Sequence, residues 1–433
     1  MGEGPRARVL AIIGSGETSP TMVTVHKELA ARLGREARSA ILLDTPYAFQ
    51  ENAADISARA QAYFARSVGL KVSVVSDAAQ PGEDQAAAGI TAIRSSDWIF
   101  AGPGSPSYAL SKWRGGPVAD ALAERIAAGA GITVIASAAA AATGFVAVPV
   151  YEIYKVGADP YWLEGLDLFG VLGLRVAVIP HYDNAEGGTH DTRFCYLGER
   201  RLAMLERELP ADAGVLGVDE HTALIFDLAA GEAEVTGRGG ATVRKHGVST
   251  VLPSGSRITL GELQDLVRRG AGGSARRPVT WGADGEGPGP RLDRPAGGEA
   301  PGKALTDLTS DAAARFEAGA NCRDAAGMVA AILDLEAAIE AWSTDTDEND
   351  SADRARAVLR GLVGRLGQAA ESGLGDPGER LRPAVEPLLA LRESLRKDHA
   401  YAAADAIRDA LAAAGVRMHD APDGTRWQLD PAH

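Results

Sequence analysis

The chain has 433 residues, 45% of them hydrophobic and 24% charged, with a formal net charge of −14. That length holds two or three domains with full cores, and the acidic balance argues against a nucleic-acid or membrane binder, which needs a basic footprint. The two cysteines, Cys195 and Cys322, lie far apart with no CxxC or Cys/His cluster. A disulfide framework or zinc set is therefore not expected, and neither is a metal or other cofactor.

The first apolar run, Val9–Ile13, is too short for a signal peptide, and no stretch reaches membrane-spanning length. The expected compartment is a reducing cytoplasm. Five further short runs follow: Ala40–Leu43, Val72–Val75, Trp98–Ala101, Thr133–Ala136 and Val176–Ile179. Between them lie helical patterns such as Met22–Leu33, Ala53–Ser67 and Val118–Ala128. Short buried strands alternating with helices predict an α/β fold, a doubly wound, mostly parallel sheet. Thr222–Leu228 and Glu234–Val243 read as consecutive strands of an antiparallel extension, and Leu260–Arg269 as a closing helix. The front domain is thus expected over 1–269.

Residues 270–302 are dominated by Gly, Pro, Arg, Asp and Ala, a composition that cannot bury enough apolar surface to offset ordering entropy, and are expected to be a flexible linker. From Leu305 to Leu411 the pattern is helical, with an acidic break at Asp345–Asp353 and a short polar coda at Asp420–Trp427. A separate all-α helical bundle is expected over 303–433.

Ligands of parallel sheets lie beyond the carboxyl ends of the strands, so the loops there are the expected place for a site. After Thr133–Ala136 comes Ser137, followed only by small residues and then a helix. A nucleophile elbow requires that arrangement, because its turn is tight and the free N–H groups of the next helix can hold an oxyanion. Taken alone, the segment also reads as a serine N-cap before an alanine-rich helix. Gly102 and Gly104 flank Pro103 after the fourth run. Pro103 has no N–H, so the amides of Gly104 and Ala138 are the expected oxyanion donors. His181 ends another run and can serve as general base, and Asp219 or Glu220 in GVDEHTAL can orient it.

Three more loops carry polar and aromatic residues suited to a peptide-like substrate: Gly16, Glu17 and Thr18 in the first, Asp44, Tyr47 and Gln50 in the second, and Tyr151, Glu152 and Lys155 after the elbow. Arg193 is a further candidate. Packing of loops and hairpins accounts for the same residues. Neither GSGETSP nor GPGSP fits a nucleotide-phosphate pattern. Cys195, near His190 and Asp191, does not sit on an elbow and reads as a buried cysteine.

Over about residues 8–255, the segments Ala101–Ser105, the Ser137 region, His181 and Gly217–Ala223 follow one order. In that order the front resembles the cyanophycinase and dipeptidase E family of serine peptidases, which have a class I glutamine amidotransferase-like fold. The resemblance implies Ser137 as nucleophile, His181 as base and Glu220 as the orienting acid. Ile135 and Ala139 stand where the family has glycines, Pro103 replaces a loop glycine, and the stretch after His181 keeps its arginines at altered spacing. The expected substrate is a small peptide or amide. The alternatives are an inactive ligand- or partner-binding protein, or an enzyme acting on cysteinyl-tRNA or a cysteine-containing peptide.

At the other end, Arg392, Arg396, Tyr401, Ala404, Asp405, Ile407, Arg408, Asp409 and Leu411 precede Asp420, Pro422, Gly424, Thr425 and Trp427. This series resembles the C-terminal helical domain of cysteinyl-tRNA synthetases. The catalytic motifs of that family, His-x-Gly-His, Lys-Met-Ser-Lys-Ser and the zinc cysteines, are absent, so aminoacylation is not expected. The resemblance leaves tRNA binding or a scaffold for docking or homodimerisation. Lys303–His433 carries 15 basic against 23 acidic residues, which disfavours tRNA.

Overall fold

The computed structural model describes residues 7–34, 39–77, 82–128, 131–187, 190–270, 303–343, 345–346, 351–372, 377–421 and 424–430. They fall into two compact units, Met1–Ala304 with Ala341–Asn349, and Leu305–Glu340 with Asp350–His433. Apart from Gly270, the linker expected over 270–302 lies outside the described residues, as do 347–350 of the acidic break.

The first unit contains strands β1 (Arg8–Ile13), β2 (Ala40–Leu43), β3 (Ser73–Val75), β4 (Trp98–Ala101), β5 (Gly131–Ala136), β6 (Val146–Ala147) and β7 (Leu163–Glu164). They are followed by β8 (Val176–Ile179), β9 (Gly214–Val218), β10 (Thr222–Asp227), β11 (Glu232–Gly237), β12 (Gly240–Lys245), β13 (Val248–Pro253) and β14 (Arg257–Thr259). The fold is α/β with mixed sheets, but the single sheet expected from the sequence is two. An eight-stranded sheet runs β14-β11-β10-β1-β5-β4-β2-β3, parallel from β1 to β3 and antiparallel on the other side. A six-stranded sheet runs β13-β12-β9-β8-β6-β7. The expected strand Glu234–Val243 is therefore split: β11 ends at Gly237 in the first sheet and β12 starts at Gly240 in the second. Gly237 has φ +134, and a Cβ there would meet the His221 carbonyl at 2.4 Å, so a glycine is needed where the chain leaves one sheet for the other.

Side-chain alternation explains how the sheets pack. Leu10 and Ile12 of β1 join Val176 and Val178 of β8 and Leu216 and Val218 of β9 in one buried cluster that links the two sheets. Val9, Ala11 and Ile13 point to the opposite face, where they pack with Val25 and Leu29 of the helix Val23–Ala31. The other face of the second sheet packs Ile179 and Val215 against Leu202 and Leu205 of the helix Gly198–Glu206. Burial on both faces is why these strands read as continuous apolar runs.

The second unit has helices Leu305–Asn321, Ala325–Ala341, Ser351–Ser372, Pro377–Lys397 and Tyr401–Ala413. The coda is a hairpin of β15 (Val416–Ala421) and β16 (Gly424–Leu429). Val416, Met418, Trp427 and Leu429 cover Val385 and Leu411 of the last two helices. No helix among the described residues is long and apolar enough to cross a membrane.

Candidate functional site

β5 delivers Ser137 to the carboxyl edge of the first sheet. Ser137 has φ +47, a left-handed conformation that a residue with a Cβ adopts at a cost of order 1–3 kcal/mol. It opens the helix Ser137–Ala142, whose six residues are all buried. Ala139 donates its amide to the Gly102 carbonyl at 3.1 Å, tying the elbow to the loop after β4. Only small side chains fit in a turn pressed this closely on its neighbour, which accounts for the alanine run.

His181 follows β8 and Glu220 follows β9, so both come from the second sheet, not from the sheet that carries Ser137. The packing of the two sheets still brings them together. Ser137 Oγ lies 2.9 Å from His181 Nε2, and His181 Nδ1 lies 3.0 Å from Glu220 Oε1. Burial pulls the Glu220 carboxyl upward, but the hydrogen bond and charge of His181, with the Asn184 amide, more than offset it and leave its pKa below the usual value. An ionised carboxylate can only accept, so Nδ1 carries the proton and Nε2 is left to accept from Ser137. Asn184, nearly fully buried, donates from Nδ2 to Glu220 Oε1 at 3.0 Å. The Glu220 amide donates to Asp183 Oδ1 at 2.7 Å.

Gly104 has φ +128, and a Cβ there would lie 2.0 Å from the Pro46 carbonyl oxygen. The amides of Gly104 and Ala138 donate no hydrogen bond to the described residues. Gly104 lines the same cavity as Ser137, and Ala138 is the chain neighbour of Ser137; unengaged amides in such positions can hold a developing oxyanion.

Ser137, His181 and Glu220 open into a cavity of about 100 Å³. Of the candidates from sequence, Tyr47, Gln50, Tyr151 and Gly104 line it. The others do not. Asp44 is buried and accepts from the Ser76 hydroxyl and from the Asp77 amide, bracing its own loop. Arg193 is clamped to Asp191 by bonds of 2.8 and 2.9 Å. Lys155 lies with Nζ 5.2 Å from the centre of the Tyr154 ring. Thr18 is buried, with Oγ1 2.8 Å from Thr346 Oγ1, and Thr346, which the structure groups with the first unit, does line the cavity. Glu17 is fully buried next to Gly102, and Gly16 packs on the His221 ring. Glu152 is half-buried in the turn after Tyr151.

Residues absent from the expectations include Ser15, Glu186, Tyr196 and His221, all of which line the cavity. His221 Nδ1 lies 3.0 Å from Thr21 Oγ1. Its place directly after Glu220 was the only signal in the sequence. Cys195 is buried and its thiol is pushed up to about 12, first by burial and then by Glu220, so it stays protonated. No group of three or more His, Cys, Asp or Glu among the described residues could hold a metal ion.

No family model matches the chain. Among solved structures, it is similar to a peptidase from an acI-B1 Actinobacterium, with TM-score 0.46 and 19% identity over 59% of this chain and 98% of that one. It is also similar to a putative peptidase E protein from Listeria monocytogenes EGD-e, with TM-score 0.36 and 16% identity over 57% of this chain and 99% of that one. Among curated proteins it is similar to the cysteine–tRNA ligase of Streptomyces griseus, 41% identical over 93 residues, which is 20% of each chain. The ligase of Parvibaculum lavamentivorans is 34% identical over 167 residues, 36% of this chain and 34% of that one. The chain spans about a fifth of the length of the first such ligase. These partial matches fit the resemblance of the tail.

Proposed function

We propose that the first unit is a serine hydrolase that cleaves a peptide or amide bond with Ser137, His181 and Glu220. The observation that carries this reading is the unbroken chain from Ser137 Oγ through His181 to Glu220, at 2.9 and 3.0 Å, opening into a cavity. His181 Nε2 takes the hydroxyl proton as Ser137 Oγ attacks the carbonyl carbon. The oxyanion of the tetrahedral intermediate settles on the amides of Gly104 and Ala138. His181 then gives its proton to the leaving amine, and the acyl-enzyme is released by a water that His181 deprotonates in the same way. Glu220 holds the imidazole in the required tautomer and stabilises its charge when protonated.

For the second unit we propose a docking role. Its acidic balance disfavours contact with phosphate, and the synthetase motifs for aminoacylation are absent from the chain.

A fluorophosphonate probe tests the hydrolase reading, since it reacts readily with a serine activated as a nucleophile. The wild-type chain is expected to label and Ser137→Ala to remain blank. A wild-type chain that does not label at neutral or mildly alkaline pH contradicts the reading and favours a binding pocket that has lost catalysis.

A further inference from the structure

The cavity wall carries acidic side chains and no Lys or Arg among the described residues. The lining includes the carboxylates of Glu186 and Glu220 and the rings of His181 and His221. Arg193 is held by Asp191, and Lys155 lies against Tyr154. A substrate carboxylate would meet no Lys or Arg among the described lining residues. Glu220 is committed to His181 and Asn184. Glu186 is not: its Oε2 accepts from the Tyr196 hydroxyl at 2.7 Å, and no protein donor reaches Oε1 among the described residues. Gln50, on the lining, adds a buried Oε1 with no partner. The wall therefore presents acceptors that lack donors.

The backbone that places Tyr196 is strained. Phe194, Cys195 and Tyr196 have φ of +61, +54 and +62, three consecutive left-handed residues with side chains. Left-handed turns cost roughly 1–2 kcal/mol per residue and normally occur as single residues. This one is held by the Phe194 amide on the Tyr182 carbonyl at 2.9 Å and the Cys195 amide on the His181 carbonyl at 3.1 Å. Its effect is to bring the Tyr196 ring beside His181, 6.3 Å between centroids, with its hydroxyl fixing Glu186. Strain retained next to a reacting group points to a site whose geometry matters.

We propose that Glu186, held by Tyr196, is the specificity-determining acceptor for an ammonium group of the substrate, so that the cavity selects cationic and rejects acidic substrates. The inference deepens the hydrolase reading and rests on the same cavity, but its test does not need turnover. The ammonium can be the α-amino group or the side-chain amine of a basic residue.

Binding is measured by calorimetry on the full chain carrying Ser137→Ala, with four probes: lysinamide, norleucinamide, Nα-acetyl-lysinamide and Nα-acetyl-norleucinamide. Lysinamide, and whichever singly charged probe carries the recognised amine, are expected to bind about 10-fold or more tighter than the doubly neutral one, the scale of a charge-assisted hydrogen bond. Norleucinamide and Nα-acetyl-lysinamide separate the α-amine from the side-chain amine. Adding Glu186→Gln should remove the preference, and Tyr196→Phe should weaken it. Equal affinity for all four probes, no binding of any, or a preference unchanged by Glu186→Gln overturns the inference. Fluorophosphonate labelling of the Glu186→Gln chain with Ser137 intact reports separately on the hydrolase reading and on folding.

Discussion

Asn184 Nδ2 and His181 Nδ1 share one oxygen of Glu220: both lie 3.0 Å from Oε1. Asn184 also accepts the Glu186 amide on Oδ1 at 3.2 Å, so one buried amide ties the orienting carboxylate to the wall of the cavity. Asn184→Ala should leave Glu220 less fixed and the Glu186 amide without its partner. Bonds to charged groups are worth about 1.5–3 kcal/mol, so fluorophosphonate labelling should slow by about 10-fold or more. An unchanged rate would show that Glu220 is positioned without Asn184.

Gly104→Ala should be more damaging than its size suggests. The new Cβ would fall 2.0 Å from the Pro46 carbonyl, at a φ of +128 that an alanine rarely adopts. The loop must move, and its amide with it. Loss of one oxyanion donor costs about 10²–10³ in rate, so labelling should drop by that much while the far-ultraviolet circular dichroism stays native. Labelling at the wild-type rate would place the oxyanion elsewhere.

Ala139→Val should likewise fail, through overpacking. Ala139 is fully buried and bonded to the Gly102 carbonyl. Two added methyl groups should cost about 1–3 kcal/mol, read as a lower midpoint in chemical denaturation. A midpoint equal to wild type would mean that the elbow has slack.

Asp219 and Glu220 should make stability depend on pH in two opposite ways. Burial, with Asp183 nearby, raises Asp219 to about 6. A raised carboxylate binds its proton more tightly in the native state, so its contribution is full below about pH 4 and is lost as pH rises through about 6. Glu220 has the opposite sign: lowered by His181 and Asn184 against burial, it adds stability above its unfolded pKa of about 4.3 that is lost as pH falls further. Asp219→Asn keeps an acceptor for the Gly240 amide, now 2.7 Å from Oδ2, and removes the first effect. Thermal melts from pH 4 to 8 should show a flatter profile for that variant. An identical slope in both proteins would contradict the shift.

The acidic second unit gives a further outcome. The full chain should show no retention of tRNA on filters at about 0.15 M salt. Retention that falls steeply with added salt, the mark of counterion release, would contradict the docking role.

Much of the first sheet was legible, because β1, β2, β4 and β5 are buried on both faces and stand out as apolar runs. The second sheet was not. β6 and β7 have two residues each, too few for a periodic signal, and the passage of the chain between sheets at Gly237–Gly240 looks like an interruption within a strand. Ser137 was visible from the small residues after it, and His181 and Glu220 from their places after strands. Their mutual distances were not, since they depend on how two sheets pack. Arg193 was misplaced because its partner Asp191 is only two residues away and holds it outside the cavity. Glu186 and Tyr196 escaped notice because nothing in the composition of Phe194–Tyr196 announces a left-handed turn. The polar coda expected at Asp420–Trp427 is the inner part of the hairpin β15–β16, whose apolar face comes from Met418 and Leu429 just outside that segment together with Trp427.

An activated Ser137 should be found by peptide mass spectrometry of the fluorophosphonate-treated wild-type chain. One adduct is expected, on the peptide that carries Ser137, and it should be lost in His181→Ala, which keeps the serine but removes the base. No adduct, an adduct on another residue, or undiminished labelling in His181→Ala would contradict that activation.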